Sequence, residues 1–260
     1  MSDPSTTLAK FPVFYSLAGK SILLAGDDAA LIPKIRLIAM TGAHLHICAP
    51  SLKAAMEKLD LPSPQASKLK TLEQEWAARD FTGQALAIGA FVCEDEAARF
   101  QHSARRANVP VNLVDRPALC DFQIPVIVNR SPLIIGISTG GAAPVMGQWL
   151  RGRLESLLPG GTGRVLEAAA SLRRAIRARL TTPAARRAFW KALAEQDLLH
   201  LARKDSLPEI KAILQKRLEK ADSKEFGAGR VQYIQIPEHP EDMSLKTLSL
   251  LQNADVIICA

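Results

Sequence analysis

This 260-residue chain contains no run approaching the roughly 18–20 uncharged apolar residues that a membrane-spanning helix requires. Its first residues, MSDPSTTLAKFPVF, lack the basic and then apolar order of a secretory signal. Cys48, Cys93, Cys120 and Cys259 show no C-x-x-C spacing and several lie in apolar runs. They read as reduced core thiols of a cytoplasmic protein, against a disulfide framework or a zinc site. His44, His46, His102, His200 and His239 have no HxxxH or clustered spacing, so no metal-ligand set is predicted. His44 and His46 share one face of a predicted strand but lack a third partner. Aromatic residues are only 5% of the chain and do not interleave with basic ones, which speaks against nucleic-acid binding.

What is present is an ordinary globular composition, with length for one large or two modest domains. The charge is uneven. Residues 151–220 hold 16 basic and 7 acidic side chains, so this segment carries about +9 of an overall +7 and the remainder is nearly neutral. Three readings stay open: a solvated helix face, a nucleic-acid surface, or a field that gathers a polyanionic small molecule.

Periodicity orders the chain as α/β. FPVF (11–14) suggests an edge element, SILLAG (21–26) a strand, and 29–40 a helix with Leu31, Ile35 and Ile38 on its apolar face. HLHIC (44–48) alternates like a second strand, and this order opens a parallel, doubly wound sheet. A helix is expected over 53–58, strands over 84–92 and 111–114, and a helix over 94–108 between those strands. The segment 69–76 fits no clear element. The acidic run Glu94-Asp95-Glu96 suits a helix N-terminus by complementing the helix dipole. After residue 144 the pattern is helical: 144–158, 162–180, 183–202 and 207–220, with Thr162 and Thr182-Pro183 as starts. A polar linker (222–229), a strand (230–236), a helix (244–253) and a strand (254–259) complete the expectation.

Two stretches carry candidate chemistry. The loop after the first strand reads Gly26-Asp27-Asp28-Ala29-Ala30-Leu31, where a dinucleotide site calls for several glycines. Glycines let the backbone approach a pyrophosphate. Each carboxylate placed about 4 Å from a phosphate, at an effective dielectric near 20, would repel it by about 4 kcal/mol before screening. From Asn112 to Pro159 the chain packs Val114-Asp115-Arg116-Pro117, Asn129-Arg130-Ser131-Pro132 and Ser138-Thr139-Gly140-Gly141-Ala142-Ala143-Pro144. A hydroxyl pair and two glycines before a helix N-terminus form a candidate anion cradle. A lone Asp before Arg-x-Pro is more often a turn residue.

These elements, in order, resemble the siroheme synthase N-terminal module, precorrin-2 dehydrogenase/sirohydrochlorin ferrochelatase. That family carries valine–aspartate–x–proline, D-R-S-P and S-S/T-G-G-x-x-P at similar spacing. The resemblance implies a Rossmann-like parallel sheet domain (1–115), a dimerisation and tetrapyrrole-cleft segment (116–150) and a small basic helical domain (151–221). It implies Asp115 as general acid/base for both reactions. Gly26, Ala29, Ala30, Pro50 and Ser51 are implied to line an NAD site, and Ser138, Thr139, Gly140 and Gly141 to shape the substrate cleft. Ferrous iron would be a substrate and the chain a homodimer. Asp27 and Asp28 replace two family glycines, so two outcomes stand: a working dehydrogenase that binds NAD weakly, or a tetrapyrrole-binding or partner protein that has lost the cofactor. Residues 222–260 resemble a truncated start of the uroporphyrinogen-III methyltransferase. Gly229-Arg230-Val231 match its first strand, but Gln235-Ile236-Pro237-Glu238-His239-Pro240 stands where its glycine-rich loop belongs, so no methyltransferase activity is expected.

Overall fold

The structure is a computed structural model that describes residues 7–61, 68–72, 75–78, 81–194, 198–221, 231–239, 242–252, 254 and 257–258. The described residues form two compact units. One holds those up to Pro125 together with Ser138–Ala143; the other holds Val126–Ile137 and those from Pro144 onward.

The first unit is a five-stranded, all-parallel sheet. Its strands are β1 (Ser21–Gly26), β2 (His44–Cys48), β3 (Leu69–Thr71), β4 (Gln84–Ala90) and β5 (Val111–Leu113), in the order β3-β2-β1-β4-β5. Alternate side chains of β1 enter different cores, as expected where both sheet faces are covered. Ile22 and Leu24 join Leu45, Ile47 and Ile88 on one face, packed by Leu31, Ile35 and Ile38 of α1 (Leu31–Ala39). Leu23 and Ala25 join the other, where α3 (Glu94–Arg106), the helix after α2 (Lys53–Glu57), brings Ala97, Phe100 and Ala104. Phe100 is fully buried, with Trp76, Phe81 and Phe91 ring centroids 5.2–5.3 Å away. The acidic run Glu94–Glu96 forms the first turn of α3. The unassigned segment 69–76 contributes the short edge strand β3.

The second unit begins with an antiparallel ribbon of β6 (Val126–Arg130) and β7 (Leu133–Ile137). Helices follow: α4 (Pro144–Leu157), α5 (Thr162–Ser171), α6 (Arg173–Arg179), α7 (Pro183–Ala192), α8 (Leu198–Leu201), α9 (Leu207–Lys220) and α10 (Leu245–Gln252). The core of α5–α9 is one cluster that includes Val165, Ile176, Phe189, Ile210 and Leu214. The Thr182 hydroxyl accepts from the Ala185 N–H, as its cap position predicts. Gly161 and Gly163 allow close approach here. A Cβ on Gly161 would lie 2.0 Å from the Ala202 carbonyl oxygen, and one on Gly163 2.0 Å from that of Ser131.

Several expectations need correction. FPVF forms no strand: Phe11 and Phe14 are 80% and 74% exposed, and the segment pairs with neither edge of the sheet among the described strands. The helix expected over 162–180 breaks at Leu172, which faces the core between α5 and α6. Within the expected helix 183–202, Pro183–Ala192 form α7, 193–194 continue as a wider helical turn and Leu198–Leu201 form α8, with residues 195–197 outside the described set. Thr162 starts α5 as expected, and its hydroxyl donates to the Pro159 carbonyl. Residues 231–236 form no strand and pair with no strand among the described residues; of the expected strand 254–259 only 254, 257 and 258 are described, none of them in a strand, and the linker 222–229 lies outside the described set. Cys93 is exposed rather than a core thiol, Cys48 is buried, and Cys259 lies outside the described residues.

Candidate functional site

Because all five strands are parallel, their carboxyl ends share one edge, with the switch in strand order between β1 and β4. Ligands of open α/β sheets bind at such an edge. Gly26 ends β1 and Ala29 and Ala30 follow it, Pro50 and Ser51 form an exposed turn after β2, and Asp115 stands two residues after β5. The fold thus brings these six sequence-predicted residues to one edge.

The β1 loop is tight. Gly26 has φ 139°, and a Cβ there would fall 1.7 Å from the Ala90 carbonyl oxygen, so only glycine fits. That same oxygen accepts the N–H groups of Asp27 (3.1 Å) and Asp28 (3.2 Å). Neither carboxylate stands free. Asp28 Oδ1 accepts from the Ala30 N–H at 2.8 Å, and Asp27 Oδ1 accepts from the Val92 N–H, beyond the end of β4, at 3.0 Å. The Leu31 N–H donates to the Asp28 carbonyl. Amides that a bound phosphate would draw on at this helix start are therefore already satisfied, one by a carboxylate that imitates the anion.

Asp115 is exposed and adopts φ 59°, the left-handed region that Asp tolerates better than most side chains. It occupies the third position of a turn closed by the Arg116 N–H on the Leu113 carbonyl, 3.2 Å. The next side chain, Arg116, reaches back to the loop after β4. Its Nη1 donates to the Phe91 carbonyl at 2.7 Å and its Nη2 to that of Val92 at 3.2 Å. Arg116 and the Val92 backbone were not picked out by sequence reasoning. The only local signal was the arginine inside Val-Asp-Arg-Pro.

Below the turn, Asp121 accepts from the Val111 N–H (3.0 Å) and pairs with Arg105 (2.6 Å). The Cys120 thiol accepts from the Leu113 N–H at 3.1 Å and is pushed above its ordinary pKa, chiefly by burial.

Ser138, Thr139, Gly140 and Gly141 form the turn after β7, grouped with the sheet unit. Gly140 and Gly141 take φ 66° and 89°, and the Gly140 N–H donates to Ser138 Oγ at 3.3 Å. The Asn129–Pro132 motif has a structural task. Asn129 Oδ1 accepts from the Ser131 N–H and hydroxyl at the ribbon turn, and Arg130 Nε donates to the Leu158 carbonyl, 2.8 Å, past the end of α4. Several arginines of the basic segment are likewise spent on helix ends. Arg179 donates to the Leu218 and Glu219 carbonyls, Arg186 to those of Leu180 and Thr181, and Arg164 to that of Lys204. Among the described residues no group of three or more His, Cys, Asp or Glu converges as a metal site, and no helix is long and apolar enough to cross a membrane.

Sheet order, tight first loop and edge placement define an α/β protein with a Rossmann-like, doubly wound parallel sheet. A family described as "Putative NAD(P)-binding" matches residues 13–126, and the sirohaem synthase dimerisation region matches residues 161–218. A solved structure, SirC, precorrin-2 dehydrogenase, shares the fold with TM-score 0.56 at 16% identity, covering 81% of this chain and all of that one. The siroheme synthase of Stutzerimonas stutzeri (strain A1501) is 32% identical over 253 residues, 95% of this chain and 52% of that protein. That of Methylococcus capsulatus (strain ATCC 33009 / NCIMB 11132 / Bath) is 33% identical over 249 residues, with the same coverage. The chain is a homologue of the siroheme synthases and spans about half the length of the curated relatives it matches.

Proposed function

We propose that the chain oxidises precorrin-2 to sirohydrochlorin with NAD and then inserts ferrous iron, its second substrate, to form siroheme. The observation that carries this reading is Asp115, an exposed carboxylate held in a left-handed turn at the ligand-binding edge of the sheet. Homology to siroheme synthases over 95% of the chain supports the substrate class. Gly26, Ala29 and Ala30 would hold the diphosphate side of NAD, and Pro50 and Ser51 the adenosine ribose, for which Ser51 offers a neutral hydroxyl. When bound, NAD supplies the hydride acceptor. Asp115 takes the proton released as the tetrapyrrole loses its hydride, and later the pyrrole protons displaced by iron. Ser138, Thr139, Gly140 and Gly141 would shape the tetrapyrrole cleft. Asp27 and Asp28 make NAD binding weak, since the Ala30 N–H must exchange a carboxylate for a phosphate.

That exchange favours a second reading, in which the chain keeps the tetrapyrrole cleft but not the cofactor. Titration with NAD, followed by assay with precorrin-2 at the NADH absorbance, separates them. NADH formation abolished by Asp115→Ala, and by Asp115→Asn with near-normal tetrapyrrole binding, is expected. Absence of NAD binding at millimolar concentration would mean the cofactor is lost. The chain would act as a homodimer paired through the β6–β7 ribbon and the matched dimerisation region, residues 161–218, with α4 between them leaving Val145, Met146 and Trp149 exposed. A monomer by light scattering at micromolar concentration would remove the dimer.

A further inference from the structure

We propose that Asp27 is a positioning residue for Asp115, acting through a latch that joins the loops after β1, β4 and β5. The proposal rests on the reading of Asp115 as the base. The backbone at Val92 is held from both ends by opposite charges: the Asp27 carboxylate takes its N–H at 3.0 Å, and the Arg116 guanidinium takes its carbonyl at 3.2 Å. A second arm of Arg116 takes the Phe91 carbonyl at 2.7 Å. Bonds to an ionised partner are shorter and stronger than neutral ones, and the planar guanidinium fork fixes direction as well as distance.

Packing does not do this work. The Val92 side chain is 71% exposed, while its neighbour Phe91 is buried among aromatic rings. The segment is therefore anchored up to Phe91 by apolar contact, and beyond it by Asp27 and Arg116. Asp27 is itself a firm post, since its own N–H is bonded to the Ala90 carbonyl. At the far end, Arg116 closes the turn whose third residue is Asp115. A residue held at φ 59° keeps that conformation only while its surroundings impose it. Removing Asp27 releases the Val92 N–H, loosens the carbonyl that Arg116 grips, and lets the Asp115 turn relax. A contiguous chain of hydrogen bonds thus links the first nucleotide loop to the proposed base.

The test compares Asp27→Ala, Asp27→Asn, Arg116→Ala and Asp115→Ala in the NADH assay at saturating NAD, with hydrogen exchange at the Val92 amide. Asp27→Ala should lower kcat roughly tenfold or more, the scale of one lost hydrogen bond to a charged group, with KM for the tetrapyrrole within about twofold. Asp27→Asn should retain most of kcat, because its amide oxygen still accepts from Val92. Arg116→Ala should lose at least as much as Asp27→Ala. Val92 exchange should quicken in the alanine variant and not in the asparagine one. Wild-type kcat in Asp27→Ala, a loss in Asp27→Asn as deep as in Asp27→Ala, or unchanged Val92 exchange would overturn the latch. Turnover that survives Asp115→Ala, or a wild-type chain with none, would overturn the reading of the base instead, and the exchange measurement would then decide the latch alone.

Discussion

Replacing Asp27 and Asp28 together by glycine should tighten NAD binding by one to two orders of magnitude. Each carboxylate would stand near a phosphate of the bound cofactor, where unscreened repulsion at about 4 Å and an effective dielectric near 20 is about 4 kcal/mol. Asp27 is exposed and Asp28 half-buried, so solvent and counterions reduce this to roughly 1 kcal/mol each. The double variant also frees the Ala30 N–H for a phosphate oxygen, worth about another 1 kcal/mol. Together these come to about 2–3 kcal/mol, a roughly 30- to 150-fold fall in Kd. The folded state loses in exchange the Ala30 bond at the start of α1 and the Val92 bond to Asp27, about 1 kcal/mol each, which lowers Tm by about 4–8 °C. Isothermal titration with NAD at low and moderate salt, with scanning calorimetry of both proteins, reads both effects. Asp28→Asn, which keeps an acceptor for Ala30 but removes the charge, should tighten binding less than Asp28→Gly. A Kd unchanged in the double variant would show that these carboxylates do not face the phosphates.

Gly26→Ala should cost more than about 3 kcal/mol, since its Cβ would sit 1.7 Å from the Ala90 carbonyl oxygen and force β1 from β4; an unchanged melting temperature would refute this. Iodoacetamide should label exposed Cys93 well before Cys120, whose thiol burial holds in its protonated form; equal labelling by mass spectrometry would count against it. Reversing the exposed Arg173, Arg174 and Arg177 to Glu should weaken tetrapyrrole binding at low salt and leave Tm nearly unchanged. The wild-type affinity should itself fall with salt, as charges are screened over about 8–10 Å at 0.1–0.15 M; a salt-independent affinity unchanged by the reversal would make these arginines a solvated face.

Much of the α/β unit was legible because its signals are local. The apolar runs 21–26 and 84–90, the α1 face of Leu31, Ile35 and Ile38, and the acidic start of α3 each report the element that contains them. Placing Gly26, Ser51 and Asp115 at strand ends followed from those elements together with the parallel order. The helix breaks were less visible, because the apolar pattern runs straight through Leu172. Whether 11–14 or 231–236 is a strand could not be read from composition, since a strand exists only beside a partner that accepts its hydrogen bonds.

The sequence by itself determined which side chains carry charge and which segments can bury a face. It therefore set the parallel sheet, the basic helical segment and the presence of two carboxylates where glycines would suit a phosphate. Only the tertiary structure decided what those carboxylates touch. Asp27 meets Val92 across 65 residues of chain, and Arg116 meets Phe91 across 25. Some arginines that looked like an attracting field are instead bonded to backbone carbonyls, and Arg179 and Arg186 became caps because folding brought helix ends beside them. Periodicity reports neighbours a few residues apart, whereas a hydrogen bond depends on two groups standing about 3 Å apart in space, which the closing of the sheet and helices alone arranges.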